Sequence, residues 1–408
     1  MHMHSHPKLD DFTETYLRLA LQLEKHIGGY VDAYFGPPEL KEKVMAGEKP
    51  SFKVLDENVT YLISALDEIN YEERRKDYLR KQVHAMAIIV RKLNGEKFSY
   101  LEEVEGCFDL KPDRPDDQVF RTALETLDDL FPGNGSIAER FETYRSQFEI
   151  PAEKQTLVLQ LATEEVRKRS ISTLVGSELP DYENVELSIV TDRPWGAFNW
   201  YLGQAQSKIE FNADQPMSGL SILDTMAHET YPGHHVEHAV KENLLYYQKG
   251  YGESGVLLTL APESLISEGI ANYGKKLIYT EKEAIKWAME KIFPLLPKRP
   301  KIDIDTQIEI SNALRSYDAL GGCLAFLLYV DGYTTDETVK FALDHTHLTE
   351  ERIRSYLKFI QDPLWRSYIF NYYLGESLVR DFAEKGDKRQ QFQKLLQQQF
   401  WPSALFSE

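Results

Sequence analysis

The chain has 408 residues, of which 47 are Lys or Arg and 65 are Asp or Glu, so that its formal net charge is −18. This negative balance argues against nucleic acid or an anionic membrane as a partner, because both require clustered basic side chains. Hydrophobic residues make up 42% and charged residues 27% of the chain, which excludes a disordered or fibrous protein and predicts one or two globular domains.

The cysteines and the N-terminal segment limit the cellular context. Cys107 and Cys323 are the only two cysteines, which excludes a disulfide framework and a cysteine-rich metal site and predicts two buried free thiols. The opening Met-His-Met-His-Ser-His lacks the basic start and apolar run of a secretory signal. Its histidines would bind metal only weakly, because ordering a flexible terminus costs entropy. No stretch reaches the roughly 18 apolar residues of a membrane span, so the expected location is the cytoplasm, with no membrane partner.

The first part of the chain has the pattern of antiparallel helices. Apolar residues recur at helical spacing from about residue 12 to residue 93, and another helix is expected over residues 153 to 175. Runs rich in Pro and Gly separate the helices, at residues 36–38, 111–115 and 132–135. We expect an N-terminal helical lobe over residues 1–180 and a catalytic region over residues 181–408, which could also pack as one continuous helical body.

A short β element is predicted directly after this lobe. Residues 185–190 and 208–212 alternate apolar and polar side chains at period two, which is typical of strands. The aromatic, turn-rich segment 193–201 between them fits either a binding loop or a hydrophobic plug. Helical spacing returns from Ser218 onward. The predicted fold is therefore mainly α, with a small β element before the helix that carries the chemistry.

Residues 228–235, with the sequence His-Glu-Thr-Tyr-Pro-Gly-His-His, contain most of the groups that zinc-dependent hydrolysis requires. That chemistry needs two neutral imidazoles, a third ligand, an open position for water and a carboxylate that accepts the proton of the water. The usual short motif has its histidines four residues apart, whereas His228 is followed by His234 at six residues and His235 at seven. An unbroken helix would favour His235, whereas a bulge at the Pro-Gly pair would favour His234, so both remain candidates.

The third ligand is expected to be an acidic residue on a later helix. Glu268, within Ser-Glu-Gly-Ile-Ala-Asn-Tyr, lies 40 residues after His228, which leaves room for a helix, a loop and a returning helix. Glu263 is the reserve candidate. Its position directly after Pro262 also suits an acidic residue in the first turn of a helix, and we favour that interpretation for Glu263.

These segments together carry a resemblance to a known family. Residues 228–235 resemble the His-Glu-x-x-Pro-Gly-His signature of the DUF885 family, whose members are regarded as gluzincin-like metallopeptidases. Residues 267–273 resemble the glutamate-bearing second motif of gluzincins, and Tyr-Tyr-Leu-Gly at 372–375 resembles the Tyr-x-x-Gly segment that closes the family pattern. The resemblance spans roughly residues 185 to 380. It implies a zincin-like architecture with His228, His234 and Glu268 as ligands and Glu229 as general base.

The resemblance and the spacing also suggest supporting residues. Asn272 falls four residues after Glu268, where related peptidases often carry an Asp that orients a metal-bound histidine. Asp224, one turn before His228, could supply the missing carboxylate. Tyr372 fits a phenol that hydrogen-bonds the oxyanion at the substrate carbonyl, with a place in the core as the alternative.

Two arginines are candidates for substrate binding. Arg366 and Arg193 could each hold a substrate carboxylate through two parallel hydrogen bonds, as cleavage from a C-terminus would require. A surface position or a salt bridge is the ordinary alternative for either residue.

The sequence thus predicts a zinc metallopeptidase that holds one Zn²⁺ per chain and acts on a peptide or small amide. One alternative is a metallohydrolase of the same fold that acts on a non-peptide amide or ester. Another is a non-catalytic helical binding protein with a structural metal site. In that case His234 and His235 would both be engaged and the site would be closed.

Overall fold

The computed structural model describes residues 5–175, 178–193, 195–363 and 365–407. The expectation of weak metal binding at the N-terminal histidines rests partly on His2 and His4, which lie outside the described residues. The predicted fold class is confirmed: the described part of the chain is mainly helical and has two small sheets.

Helices dominate the first 170 residues, and polar residues cap many of them. Asp10, Ser99 and Ser136 each accept a hydrogen bond from a backbone N–H in the first helical turn, where such groups have no partner within the helix. The helices of this part are α1 (Asp11–Glu24), α2 (Pro38–Ala46), α3 (Phe52–Glu68), α4 (Glu73–Leu93), α5 (Tyr100–Phe108), α6 (Asp117–Leu130), α7 (Ile137–Ser146) and α8 (Ala152–Ser170), which continues as a π-helical turn, Ile171–Val175.

Two sheets differ in detail from what the sequence predicted. The first pairs β1 (Val31–Tyr34) with β5 (Val256–Leu258) in antiparallel fashion, although residues 12–93 were expected to be helical between turns. The second has the order β2-β4-β3, with β2 (Asn184–Val190) parallel and β3 (Ala197–Gly203) antiparallel to β4 (Gln206–Asn212). Most of the aromatic segment that was expected to form a loop or plug is therefore the edge strand β3.

The second half of the chain returns to helices, which carry the candidate site. They are α9 (Ile222–Glu229), α10 (His234–Lys241), α11 (Pro262–Ile278), α12 (Glu281–Trp287), α13 (Ile304–Arg315), α14 (Leu320–Tyr329), α15 (Thr335–His345), α16 (Glu350–Gln361), α17 (Asn371–Glu384), α18 (Lys388–Gln397) and α19 (Pro402–Ser407).

One hydrophobic core joins the two halves of the chain. Its buried side chains extend from Phe12 in α1 to Leu405 in α19, on both sides of residue 180. The pairing of β1 with β5 also links the N-terminal helices to the loop that precedes α11. Cys107 and Cys323 are both buried free thiols. No helix among the described residues combines the length and apolar character that crossing a membrane requires.

Candidate metal centre

A break between α9 and α10 brings two histidine rings together. The α9 helix ends at Glu229 and α10 begins at His234, and between them the N–H of Gly233 donates to the carbonyl of Ala227 at 3.0 Å. A Cβ atom at Gly233 would lie only 1.9 Å from the carbonyl oxygen of His228, so no larger residue fits this turn. The rings of His228 and His234 consequently lie with centroids 4.7 Å apart and planes at 88°.

Glu268 on α11 completes a group of three possible ligands. Its Oε2 lies 3.6 Å from Nε2 of His228, and its Oε1 lies 3.7 Å from Nε2 of His234. Zinc–ligand bonds of about 2.1 Å in a tetrahedron place neighbouring ligand atoms about 3.4 Å apart. The three ligand atoms, all within 4.8 Å of one another, therefore have nearly the spacing that a zinc ion requires.

Hydrogen bonds on the far side of both rings fix which nitrogens carry protons. Nδ1 of His228 lies 3.0 Å from Oδ1 of Asn272, and the amide nitrogen of the same asparagine donates to the carbonyl of Tyr372. Its Oδ1 is therefore the acceptor, and Nδ1 of His228 is the donor. The Nε2 lone pair of His228 accordingly faces Glu268.

His234 is oriented by the same principle through a hydroxyl group. Its Nδ1 lies 3.1 Å from Oγ of Ser267, which donates its own hydrogen to Oε2 of Glu237 at 2.6 Å. Because the hydroxyl hydrogen is used in that bond, Nδ1 of His234 must be the donor. Burial, followed by the charge of His238, lowers the pKa of His234 to about 4, so the ring is neutral near pH 7 and its Nε2 lone pair is available.

The Glu268 carboxylate is buried and only half satisfied. Tyr368 donates its hydroxyl hydrogen to Oε1 at 2.7 Å, whereas Oε2 is buried and has no hydrogen-bond partner among the described residues. Burial raises the pKa of Glu268 to about 7, against the lowering effect of the Tyr368 hydrogen bond. Two imidazole lone pairs thus face a carboxylate with an unsatisfied oxygen, and a cation between them would satisfy all three groups.

Glu229, the residue after His228, lies beside this group. Its side chain is buried, with 7% of the residue exposed, and none of the described residues donates a hydrogen bond to its carboxyl group. Its backbone carbonyl accepts a hydrogen bond of 2.6 Å from the side chain of Asn199 on β3. Burial, then the charges of Glu268 and Asp32, raise the pKa of Glu229 to about 8.

A close contact between α11 and α17 brings tyrosines to the site. A Cβ atom at Gly269 would lie 2.2 Å from the carbonyl oxygen of Gly375, and one at Gly375 would lie 2.4 Å from the carbonyl oxygen of Leu265. The two backbones touch because neither glycine carries a side chain. Tyr372, at the start of α17, is 37% exposed, and burial of its hydroxyl, then the charges of Glu268, Tyr356 and Glu229, raise its pKa well above the ordinary value.

Two predicted supporting residues act elsewhere. His235 is fully buried and lies 2.8 Å from the hydroxyl of Ser207 and 3.0 Å from the carboxylate of Glu183, so its nitrogens are engaged away from Glu268. Asp224 accepts hydrogen bonds from Lys275 at 2.5 Å and from Tyr279 at 2.8 Å. Asp224 therefore does not supply the carboxylate for His228, which is held by Asn272 instead.

Neither predicted arginine has a free guanidinium group at the site. Arg366 forms two hydrogen bonds to the buried carboxylate of Glu103, which outweigh its burial and raise its pKa. Arg193 is half exposed and lies 3.7 Å from Glu210 and over the ring of Trp195. Both arginines therefore pair with carboxylates of the chain itself, and this replaces the interpretation of them as clamps for a substrate carboxylate.

The sequence prediction missed three residues that hydrogen-bond to the candidate ligands or to their partners. Tyr368 could have been found from its position one helical turn before Tyr372, since residues four apart share a helix face. Ser267 directly precedes Glu268, which gave no signal of its role. Glu237, the acceptor for Ser267, lies three residues after His234.

Comparison with known proteins bears on the fold alone. No protein-family model and no curated protein matches the chain. It is similar to a solved structure from Colwellia psychrerythraea, described as a "putative lipoprotein", with a TM-score of 0.52 and 15% sequence identity. The likeness covers 96% of this chain and 69% of the other. The two proteins share a fold.

Proposed function

We propose that this protein is a zinc-dependent hydrolase that cleaves peptide bonds. The observation that supports it most is the convergence of two neutral imidazole lone pairs, from His228 and His234, on the buried carboxylate of Glu268, whose Oε2 has no hydrogen-bond partner among the described residues. Structural ion pairs do not leave three acceptors facing one another, because that arrangement is costly without a cation. The resemblance of residues 228–235 and 267–273 to DUF885 and gluzincin motifs supports the same proposal.

Each residue of the candidate site has its own role in the proposed reaction. Zinc bound by His228, His234 and Glu268 would supply Lewis-acid chemistry, which polarises a carbonyl group and makes water more acidic. Glu229 takes the proton from the attacking water and returns it to the leaving amine. Its lack of a competing hydrogen bond leaves the carboxylate available for both transfers. Tyr372 donates a hydrogen bond to the oxyanion that forms at the substrate carbonyl.

The surroundings of the site favour catalysis over a structural metal pin. A closed site would need a fourth protein ligand, and His235 was the candidate for it. Its nitrogens are instead engaged by Ser207 and Glu183. The partly exposed Tyr372 also leaves access to the site from solvent. A metallohydrolase that cleaves non-peptide amides or esters would use the same residues, so only its substrates distinguish it from a peptidase.

Metal content is the first test. Protein purified without an affinity tag and dialysed against zinc is measured by elemental analysis, for wild type, His228→Ala, Glu268→Ala and the control His84→Ala, which alters an exposed histidine on α4. We expect about one zinc per chain in wild type and control, and loss of that zinc in the other two variants. Folded wild-type protein without zinc contradicts the proposal.

Activity is tested next with Glu229→Gln. This substitution keeps the size of the side chain and removes its ability to accept a proton, so zinc should stay bound while peptide hydrolysis falls by roughly 10²- to 10⁴-fold. A panel of peptides, amides and esters distinguishes the peptidase from the other metallohydrolases. Undiminished hydrolysis by the Glu229→Gln variant would rule out the assigned role of this residue.

A further inference from the structure

An acidic residue from the N-terminal part of the chain also lies at this site. Asp32 is in β1, and the pairing of β1 with β5 has an irregular register between Val31 and Ala33, on either side of it. An irregularity of this kind redirects the side chain of the residue that it contains. The strand itself packs against β3, whose Asn199 binds the backbone of Glu229.

Asp32 is close to both of the functional carboxylates. Its charge contributes to the raised pKa of Glu229 and of Glu268, and also to that of Tyr368. The groups on which Asp32 acts belong to three different elements, α9, α11 and the turn before α17. Together with the packing of β1 against β3, these effects place Asp32 near the candidate site.

The Asp32 carboxylate has no partner within the part of the chain that the structure describes. No hydrogen bond or ion pair reaches it there, and the charge of Glu263, which also raises its pKa, has the same sign. Burial is the main cause that raises its pKa to about 7, yet the residue is partly accessible to solvent. The Asp32 side chain is therefore desolvated without being closed off from solvent. Glu229, more than nine-tenths buried, is a second carboxyl group without a hydrogen-bond partner among the described residues.

The net negative charge at the site favours a substrate with a cationic group. Asp32, Glu229 and Glu268 carry three negative charges when ionised, of which a divalent ion neutralises two. The charge of Glu263, which acts on Asp32, adds to the negative charge that remains. The nearby Lys275 already pairs with Asp224. A substrate carboxylate would be repelled here, whereas an ammonium group would form a charged hydrogen bond with Asp32.

We propose that Asp32 binds the α-ammonium group of the first residue of a peptide, which makes the protein an aminopeptidase. This inference rests on the proposed hydrolase function and names its substrate class. In a peptide with a free amino terminus, the ammonium nitrogen is bonded to the Cα atom next to the first scissile carbonyl. At every later bond the corresponding nitrogen is a neutral amide, which leaves Asp32 without a counter-charge and is rejected.

The test compares three chromogenic substrates on wild type, Asp32→Asn and the control Asp56→Asn, which removes an exposed carboxylate on α3. The substrates are leucine 4-nitroanilide, N-acetyl-leucine 4-nitroanilide and N-acetyl-lysine 4-nitroanilide. We expect wild type and control to prefer the free amine over its acetylated form. In Asp32→Asn the ratio of the two kcat/KM values should fall by roughly 10- to 100-fold, as expected for the loss of one charged hydrogen bond.

The lysine substrate separates the two sources of an ammonium group. Preference for N-acetyl-lysine over N-acetyl-leucine that disappears in Asp32→Asn would assign the residue to a basic side chain and overturn the aminopeptidase proposal. An unchanged ratio of the free to the acetylated leucine substrate in Asp32→Asn would also overturn it.

A binding measurement keeps the inference testable if no substrate is cleaved. Isothermal titration compares 3-methylbutylamine with 3-methylbutanol on zinc-loaded and zinc-free protein. We expect the amine to bind at least roughly tenfold more tightly than the alcohol, with this difference lost in Asp32→Asn and retained in Asp56→Asn. Absence of catalysis with this binding pattern would refute the hydrolase and leave the ammonium site. Equal binding of both compounds would refute the ammonium site.

Discussion

Replacing Gly269 by Ala tests how the two central helices hold the site. The new Cβ atom would lie 2.2 Å from the carbonyl oxygen of Gly375 and 2.7 Å from a methyl group of Val379. Carbon and oxygen need about 3.2 Å, so α11 and α17 must separate by about 1 Å. Backbone atoms cannot move aside as a flexible side chain can.

The energetic result follows from two opposing effects. Overpacking of this kind lowers the free energy of unfolding by about 3 kcal/mol, and the better helix propensity of Ala offsets about 1 kcal/mol of this loss. We therefore expect Gly269→Ala to lower the free energy of unfolding by about 2 kcal/mol. The separation also moves the hydroxyl of Tyr368 away from Glu268, so zinc affinity should fall roughly tenfold.

Both quantities are measured against Gly28→Ala. A Cβ atom at Gly28 meets nothing within 4 Å, so this control should behave as wild type. Urea denaturation followed by circular dichroism gives stability, and competition with a chromophoric chelator gives zinc affinity. If Gly269→Ala matches the control in both assays, the contact between the helices does not position the site and the reasoning is wrong.

Three further predictions concern the surroundings of the site. Ser267→Ala removes the acceptor for Nδ1 of His234 and should weaken zinc binding roughly 10- to 100-fold, whereas Ser267→Thr, which keeps the hydroxyl, should restore most of it; equal affinity of wild type and Ser267→Ala would exclude the orienting role. Burial would raise the pKa of Glu183, but hydrogen bonds from His235 and Tyr231 and from an arginine lower it to about 2. Its stabilising effect is therefore complete above about pH 4.5 and lost as the pH falls toward 2, so the stability difference between wild type and Glu183→Gln should shrink by about 3 kcal/mol over that range. Finally, free zinc at 100 times its dissociation constant should stabilise wild type by about 2.7 kcal/mol, and the same addition should leave the melting of Glu268→Ala unchanged.

Much of the fold was predictable because the helices carry a strong local signal. Their apolar spacing and their capping residues are properties of neighbouring residues, and both appear in the sequence. The pairing of β1 with β5 was not predictable, because strands of four and three residues lie more than 200 residues apart and show no alternation of their own. In β3 the aromatic residues occupy both faces, as Phe198, Trp200 and Tyr201 show, and they hide the period of a strand.

The candidate site likewise contains residues that the sequence predicted and residues that it did not. His228, Glu229 and Glu268 could be identified because each belongs to a short motif of recognisable spacing. Asp224 was misjudged because helical spacing gives its position relative to His228 but not its partner, which is Lys275 on another helix. Asp32 gave no signal at all, since its approach to the site depends on the register of one short strand.

The architecture of the candidate site also determines when during folding the proposed zinc ion could first be bound. The hydrogen bond between Tyr368 and Glu268 joins residues 100 positions apart, and Asp32 approaches them from an element more than 190 residues before His228. Contacts of such high sequence separation form slowly, because long loops must close before the contacts stabilise them. Tight zinc capture during refolding would therefore follow the appearance of helical structure. Adding a chromophoric chelator at different times during refolding would therefore show when the α17 segment docks onto α11, without a label on either helix.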